Sequence, residues 1–477
     1  MSSSNPTQLR QAVAEIMRIS PLTVELGNLF HQAGFELALV GGPVRDALLG
    51  RLGNDLDLTT NATPEQILQI ISPWADSTWD VGARFGTIGI NKQGYKLEIT
   101  TYRSENYDES SRKPEVNFGD SLDGDLGRRD FTINAMAIKL PSLEFVDLFD
   151  GLADLANKTI RTPQSAELSF SDDPLRMLRA ARFAAQLNFT VAADVISAMR
   201  EMKSRLSIVS MERIRDEFNK LILGAKPRLG LILLVETGLL EIFLPEIPAL
   251  QLAEDEHNRH KNIYEHSITV LEQAIALEKS HEPNLAPDLI LRLAALLHDI
   301  GKPKTRRFED NRVTFHHHEV VGAKMTRKRM KELRYSNDEI EQVSLLVELH
   351  LRFHGFSGGE WTDSAVRRYV TDAGEQLVRL HKLTRADSTT RNQRKADALQ
   401  LAYDKLEQRI AELAEQEELN AIRPDLDGNE IMQILNLKPG PAVGKAYNHM
   451  LEVRLEQGPL SREDAIAELN RWWQAQN

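Results

Sequence analysis

The stretch LVGGPVRDALLGRLGNDLDLTT, Leu39 to Thr60, decides the reading of this chain. It opens as an apolar strand, breaks at Gly41 and Gly42, and resumes as a short helix with Pro43 in its first turn and Gly50 at its end. Proline suits the first helical position and glycine the C-terminal end. A helix start offers unpaired N–H groups and the positive end of the helix dipole, which attract phosphate. Glycine at position 42 lets a phosphate approach the backbone, and Arg45, one turn later, adds a forked donor. A glycine pair ahead of a helix is, alone, usually only a turn. Asp55 and Asp57 change its weight. Two residues apart on a strand, they share one face, and paired carboxylates repel unless a cation lies between them. Oxygen ligands select Mg²⁺, which keeps waters and also binds substrate phosphates. The stretch reads as a phosphate cradle beside a Mg²⁺ platform.

The rest of the chain sets bounds on that reading. Its 477 residues suffice for several domains, and 42% hydrophobic with 27% charged residues is ordinary for a soluble globular protein. The absence of cysteine removes disulfides and thiolate zinc sites from consideration. No apolar run reaches the length of a membrane span, and MSSSNPTQLRQ lacks the apolar core of a signal peptide, so the expectation is a cytoplasmic protein. A net charge of −12 argues against coating long nucleic acid by charge alone. It leaves room for a folded RNA held at local basic patches. Thr326–Arg334, Val366–Val370 and Thr390–Asp397 are candidates, although solvated helix faces are the commoner use of such runs.

An amphipathic helix leads in over residues 1–35. From Glu36 to about Asp150, strand-like runs (FELALV, DLDLTT, TIGINK, YKLEITTYR, AMAIKL, EFVDLFD) alternate with short helical segments. Beyond Gly151 the periodicity is almost wholly helical.

GGPVRDALLG…NDLDLTT resembles the nucleotidyltransferase motif of the polymerase-β-like superfamily. Within it, the resemblance is to the class II branch of CCA-adding tRNA nucleotidyltransferases and bacterial poly(A) polymerases. The resemblance implies that Asp55 and Asp57 hold catalytic Mg²⁺ for two-metal phosphoryl transfer. Glu98, in YKLEITTYR, is the candidate third carboxylate. GRRDFTINAMAI matches a further motif of the family. It assigns Arg129 to the nucleotide, with Asp130 and Asn134 shaping the sugar pocket.

DDPLRMLRAARFAAQ spaces Asp173, Arg176, Arg179 and Arg182 three apart, which predicts a charged stripe on one helix face. Solvated pairs are the usual content of such a stripe. A carboxylate and a guanidinium can instead read the amine-bearing edges of C and A. The family's EDxxR protein template appears here as DDPLR, with Asp172 in place of the glutamate. The resemblance implies base reading by Asp173 and Arg176 and triphosphate contacts from Arg179 and Arg182. MERIRDEF (Met211–Phe218) falls where the family has a neck-stabilising helix, and is read as structural. In the family's flexible loop, Tyr102–Asp120 here, Ser110 stands two residues before Arg112 where an acid is usual; Asp108 and Glu109 lie upstream.

His266, His298-Asp299 and Asp387 follow the H…HD…D pattern and resemble the HD-domain metal phosphohydrolases. His317 or His318, and His350, are candidate extra ligands or phosphate contacts. Mixed imidazole and carboxylate ligation suits Ni²⁺, Mn²⁺, Fe or Zn²⁺ better than Ca²⁺.

The expected architecture is therefore α+β. A polymerase-β-like head of mixed sheet and helices (1–155) precedes an all-helical neck (156–255), an HD-domain body (256–405) and a helical, tRNA-contacting tail (406–477). The expected activity is template-independent addition of CCA to tRNA 3′ ends from CTP and ATP, with no DNA or membrane partner. The resemblance also admits a hydrolytic second activity at the HD site. Partial CC or A addition and poly(A) synthesis remain rivals, as does an HD phosphohydrolase with a nucleotide-sensing head.

Overall fold

The computed structural model describes residues 6–79, 86–106, 115–118, 121–252, 263–281, 283–309, 312–353, 361–389, 393–417, 419 and 422–476. Ser110, Arg112, Asp108 and Glu109 lie outside the described residues. Two compact units are present, Met1–Phe243 and Leu244–Asn477. Among the described residues no helix is long and apolar enough to cross a membrane.

The first unit opens with α1 (Pro6–Gln32), β1 (Leu37–Val40), α2 (Gly42–Leu48), β2 (Asp55–Thr60), α3 (Pro64–Ile71), β3 (Ser77–Trp79), β4 (Thr87–Lys92) and β5 (Tyr95–Thr101). The strands β6 (Arg103–Asn106) and β7 (Glu115–Phe118) pair antiparallel with each other, a ladder not expected from the sequence. Then come α4 (Leu122–Gly127), β8 (Met136–Leu140), β9 (Glu144–Asp147) and α5 (Gly151–Ala156). Seven strands form one mixed sheet in the order β3-β4-β5-β2-β1-β8-β9, in which only β2 and β5 run parallel.

The alternation of DLDLTT does what a period of two must. Leu56 and Leu58 are each 1% exposed and enter the core, so Asp55 and Asp57 face the other way. Register then carries this face across the sheet: Asp57 is opposite Glu98, Glu98 opposite Gly89, and Gly89 opposite Trp79. Gly89 is required here, because a Cβ would fall 1.9 Å from the Trp79 ring.

The helical part of this unit comprises α6 (Ala166–Asp172), α7 (Arg176–Leu187), α8 (Ala193–Met202), α9 (Met211–Ile222) and α10 (Pro227–Glu236). The expected single helix from Asp172 onward is two. Asp173 is extended (φ −142°, ψ 102°) and Pro174 follows it, as a proline disfavours helical backbone in the residue before it. Asp173 is thus off the helix, and the arginine stripe starts at Arg176.

Among its described residues the second unit is almost wholly helical, with one short antiparallel pair of strands, Arg307–Glu309 and Arg312–Thr314. Its helices are announced by local chemistry: Ser336 with Glu339, and Asp427 with Glu430, form capping boxes. Its C-terminal part packs around Leu426, Ile431, Ala446, Met450, Ala465 and Leu469.

Candidate active site and metal centre

In the first unit, a cleft of about 300 Å³ is lined by Asp57, Glu98, Arg128, Arg129, Asp130, Arg176 and Arg179, among others. Asp57 lines it and still reaches solvent. Burial pushes the Asp57 carboxyl up; Arg129 opposes this, and the nearby Glu98 and Asp55 add to the rise. Three carboxylates are therefore close enough to feel one another, and such a donor set fits a hard divalent cation. Lys96 Nζ lies 2.9 Å from Glu98 Oε1. The Glu98 hydrogen bond and charge, reinforced by Asp55 and Asp57, raise the Lys96 pKa.

The arginines are held by an acidic scaffold. Buried Asp125 accepts from Arg128 at 2.7 Å and from Arg129 at 2.9 Å. Asp130 accepts from Arg179 Nη2 at 2.6 Å and Nε at 2.8 Å, and from Asn134 Nδ2 at 2.9 Å. Burial alone would raise Asp130, yet Arg179 and the Asn134 bond hold it at about 2. Asn134 Oδ1 in turn accepts from Arg45 Nη1 at 2.6 Å, and Arg45 also pairs with Asp46. Arg45 is 8% exposed, so it braces the head from within. The tightly constrained glycine is Gly41 more than Gly42. Gly41 has φ +74°, and a Cβ there would fall 2.9 Å from Arg129 Nη1, whereas one on Gly42 would meet nothing closer than 3.6 Å.

The neck residues divide. Arg176 lines the cleft and is 8% exposed. Its guanidinium donates to Ser169 Oγ at 2.9 Å and to the Arg128 carbonyl at 2.7 Å. Asp173 Oδ2 is 2.9 Å from Arg213 Nη2, and its carbonyl accepts the Arg176 N–H at 3.0 Å. Arg182 does not line the cleft; its guanidinium lies 4.1 Å from the Phe183 ring centroid and pairs closely with Glu217. Burial brings Arg182 down to about 10, against the pull of Glu217. The helix read as structural therefore supplies Arg213 and Glu217 to the neck residues. The signal for Glu217 was available: an acid beside Phe218 on the face that buries Ile214 and Leu221.

In the second unit His266, His298, Asp299, His318, His350 and Asp387 converge. His266 Nε2 is 2.9 Å from Asp387 Oδ1 and 3.3 Å from His298 Nε2. His298 Nε2 is 3.2 Å from Asp299 Oδ2. Three rings are oriented by backbone carbonyls, two in the last turns of helices and one in the turn leading into His318–Glu332. His298, His318 and His350 each place Nδ1 2.7–2.9 Å from the carbonyl three residues earlier, of Ala295, Phe315 and Val347. A ring that donates through Nδ1 leaves Nε2 as a lone pair, the state a metal requires. His318 Nε2 is buried without a hydrogen-bond partner. Burial would lower His298, but Asp299 and Asp387 raise it to about 10. Burial, then His298 and His318, push His350 down to about 3. The two carboxylates thus demand a cation among these rings, and a divalent ion meets that demand. Of the two neighbouring histidines it is His318 that joins the cluster; His317 is largely exposed, near Glu319.

The expected basic patches are mostly paired. Arg329 binds Glu246 and Glu332, Arg327 lies near Glu341 and Glu348, and Arg367 is buried against Glu417.

Comparison with known proteins fits this geometry. The poly A polymerase head domain matches residues 37–161, the probable RNA and SrmB-binding site of polymerase A matches 188–250, and the HD domain matches 263–392. The A-adding tRNA nucleotidyltransferase of Deinococcus radiodurans is 31% identical over 444 residues, covering 91% of this chain and 95% of that protein. The chain belongs to the family of CCA-adding tRNA nucleotidyltransferases and bacterial poly(A) polymerases. The CCA-adding enzyme of Levilactobacillus brevis is 44% identical over 210 residues, 44% of this chain and 52% of that protein. The chain spans about half the length of the curated CCA-adding enzymes it matches. The fold is also that of the Bacillus stearothermophilus CCA-adding enzyme in complex with CTP (TM-score 0.67, 24% identity, 95% of this chain and 97% of that one). The family's mixed-sheet head, helical neck and HD domain are all present in this chain.

Proposed function

We propose that the first unit adds C, C and A to tRNA 3′ ends from CTP and ATP. The observation that carries the reading is the strand register, which sets Asp55, Asp57 and Glu98 on one face beside the Arg129 cleft. Mg²⁺ held by Asp55 and Asp57 would acidify the RNA 3′-hydroxyl and neutralise the triphosphate as pyrophosphate leaves. The protein's own part is positioning. Asp125 aims Arg128 and Arg129 as fixed cations, and Asp130 aims Arg179. Preorganised donors need no rearrangement as charge develops. Asp173 and Arg176 read the base, and Arg179 serves the triphosphate from the cleft wall; Arg182, expected to do the same, instead pairs with Glu217 and packs on Phe183. The head then spans residues 1–155, the neck 156–255, the HD body 256–405 and the tail 406–477.

A second reading is addition of A alone, favoured by the near full-length match to an A-adding relative. One assay separates the two. tRNA ending at the discriminator base, or at CC, is incubated with Mg²⁺ and each labelled nucleotide singly and together. Full CCA on the first substrate supports the proposal. A added only to the CC-ended substrate supports the second reading, and long A tails overturn both.

The histidine cluster supports a separate metal-dependent phosphohydrolase activity on RNA-end phosphates, with Ni²⁺ or Mn²⁺ bound by His266, His298, Asp299 and Asp387. Lys302 Nζ, 2.8 Å from Asp299 Oδ2, supplies a cation beside it for a phosphate oxygen.

A further inference from the structure

We infer that Trp79 is the stacking platform for the terminal base of the RNA acceptor, on the side of the carboxylates away from the cleft arginines. The inference rests on nucleotide transfer to an RNA 3′ end, as proposed above, and adds to it the place where that end lies.

The strand β3 is three residues long and stands at the edge of the seven-stranded sheet. Ser77 and Thr78 are exposed, and Trp79 is its one large apolar side chain. The core of this region lies on the far face of the sheet, where Ile88, Ile90, Leu97 and Ile99 are fully buried. Trp79 does not join them. Register sets it opposite Gly89, in one row with Glu98 and Asp57, and side chains directly opposite one another share a face. The indole lies on the Gly89 backbone, since a Cβ there would overlap its Cε2, Nε1 and Cζ2. Even so the residue stays half-buried, with part of its surface open.

A ring over a glycine near a sheet edge can serve the sheet alone. Two further observations point to a ligand. The first is direction. Arg128, Arg129, Arg176 and Arg179 line the cleft together with Asp57 and Glu98, whereas Lys96 and Trp79 do not line it. In phosphoryl transfer the attacking and leaving oxygens stand roughly in line. A triphosphate held by those arginines therefore leaves the attacking 3′-hydroxyl to arrive from the β5–β4–β3 side. The ring rests two strands from Asp57, about 10 Å at about 4.8 Å per strand. That is the reach from a 3′-oxygen at the carboxylates to a base at the end of the same strand. The second observation is charge. Lys96 Nζ stands 5.6 Å from the Trp79 ring centroid and 2.9 Å from Glu98 Oε1. A cation for the backbone beside a ring for the base is how single-stranded nucleic acid is held. A ring also suits an acceptor whose last base changes from one addition to the next, because every base has a π-face while edge hydrogen bonds discriminate.

The test measures addition by the full chain with Mg²⁺, varying tRNA at saturating nucleotide and nucleotide at saturating tRNA. Trp79→Leu still covers Gly89 but has no π-face. Its KM for tRNA should rise about ten-fold or more, while KM for CTP and for ATP stays within about two-fold. Trp79→Phe and Trp79→Tyr should restore most of the loss. A tRNA ending in the fluorescent base 2-aminopurine reads the contact directly. Its emission should be quenched on binding the parent and far less on binding Trp79→Leu, with circular dichroism and melting temperature alike in the two. An unchanged KM for tRNA in Trp79→Leu, while the parent adds nucleotides, overturns the inference and leaves the proposed function standing. KM values for tRNA and nucleotide rising in step would mean that the ring only shapes the sheet, and overturn it as well. A parent that adds nothing to any tRNA end overturns both. Should Trp79→Leu fail to fold, the parent still decides, because absence of quenching there rules out the stack.

Discussion

The carboxylate platform of the head and the histidine cluster of the second unit are both proposed cation sites, yet they are built in opposite ways. Asp55 and Asp57 stand on the solvent face of a strand. His298, Asp299 and His350 are 0%, 1% and 1% exposed, and helix-end carbonyls fix the rings. An open platform with few protein ligands holds its ion weakly until the substrate's phosphates complete the coordination sphere. A closed cluster brings its full ligand set and keeps it oriented. The first arrangement suits a site that must admit an RNA end and a nucleotide in turn; the second suits a resident ion.

The largest effect should come from the platform. Asp57→Ala removes one of the two proposed strand ligands, and should lower nucleotide addition by roughly a thousand-fold or more. Because the side chain is exposed and crowded by like charge, thermal stability should stay the same or rise slightly. A loss of activity that tracked a loss of melting temperature would remove the distinction between the two sites. The converse variant, His298→Ala with Asp299→Ala, should abolish metal-dependent phosphate release while addition stays within about two-fold of the parent, a difference of less than ~0.5 kcal/mol in barrier. Chelation sharpens the contrast further. Addition should stop on mixing with chelator and recover with Mg²⁺, whereas the buried ion should leave over a much longer time.

The same contrast explains what could be read from the sequence. The platform is local: Asp55 and Asp57 are two residues apart, and Leu56 and Leu58 between and beyond them fix which face is which. The capping box of Ser336 with Glu339 was not read from the sequence, although its residue types mark the helix start. The HD dipeptide marked His298 and Asp299, but choosing His318 over His317 required knowing that His317 takes the left-handed conformation just before the helix His318–Glu332 begins. The partners that aim the arginines were harder. Arg213 reaches Asp173 across 40 residues, and Arg179 reaches Asp130 across 49. The three-residue spacing of charges suggested one stripe; Pro174 broke it, Arg176 and Arg179 line the cleft, and Arg182 turns instead to Glu217 and the Phe183 ring.

Intermediate effects probe that cleft. Arg176→Ala should relax the choice between C or A and G or U by about ten-fold or more, the loss of one good bidentate reader, with a smaller change in triphosphate affinity. Gly41→Ala should act on the other wall. The backbone there (φ +74°, ψ −133°) is one L residues rarely adopt, costing them about 1–3 kcal/mol, and the new methyl would displace Arg129 Nη1, which lies 2.9 Å from its position. KM for nucleotide should rise more than kcat falls.

The last effect, which bears on stability and least on activity, concerns how the head keeps Arg179 in place. Asp130 is held at about 2 in the folded protein, against about 3.9 in an unfolded chain. A depressed carboxyl stabilises the fold fully above its unfolded value, near pH 4, and that stabilisation drains away as pH falls from about 4 to about 2. Two units correspond to about 2–3 kcal/mol. Asp130→Asn keeps the shape but lacks the titration, so the deficit of the variant should be largest at neutral pH and should shrink below pH 4. Hydrogen exchange across residues 125–140 at several pH values reads this locally, away from the histidine cluster. A deficit that stayed constant from pH 6 to pH 3 would mean that the charge of Asp130 contributes nothing, and that Asn134 alone holds the Arg45 and Arg179 sides of the cleft together.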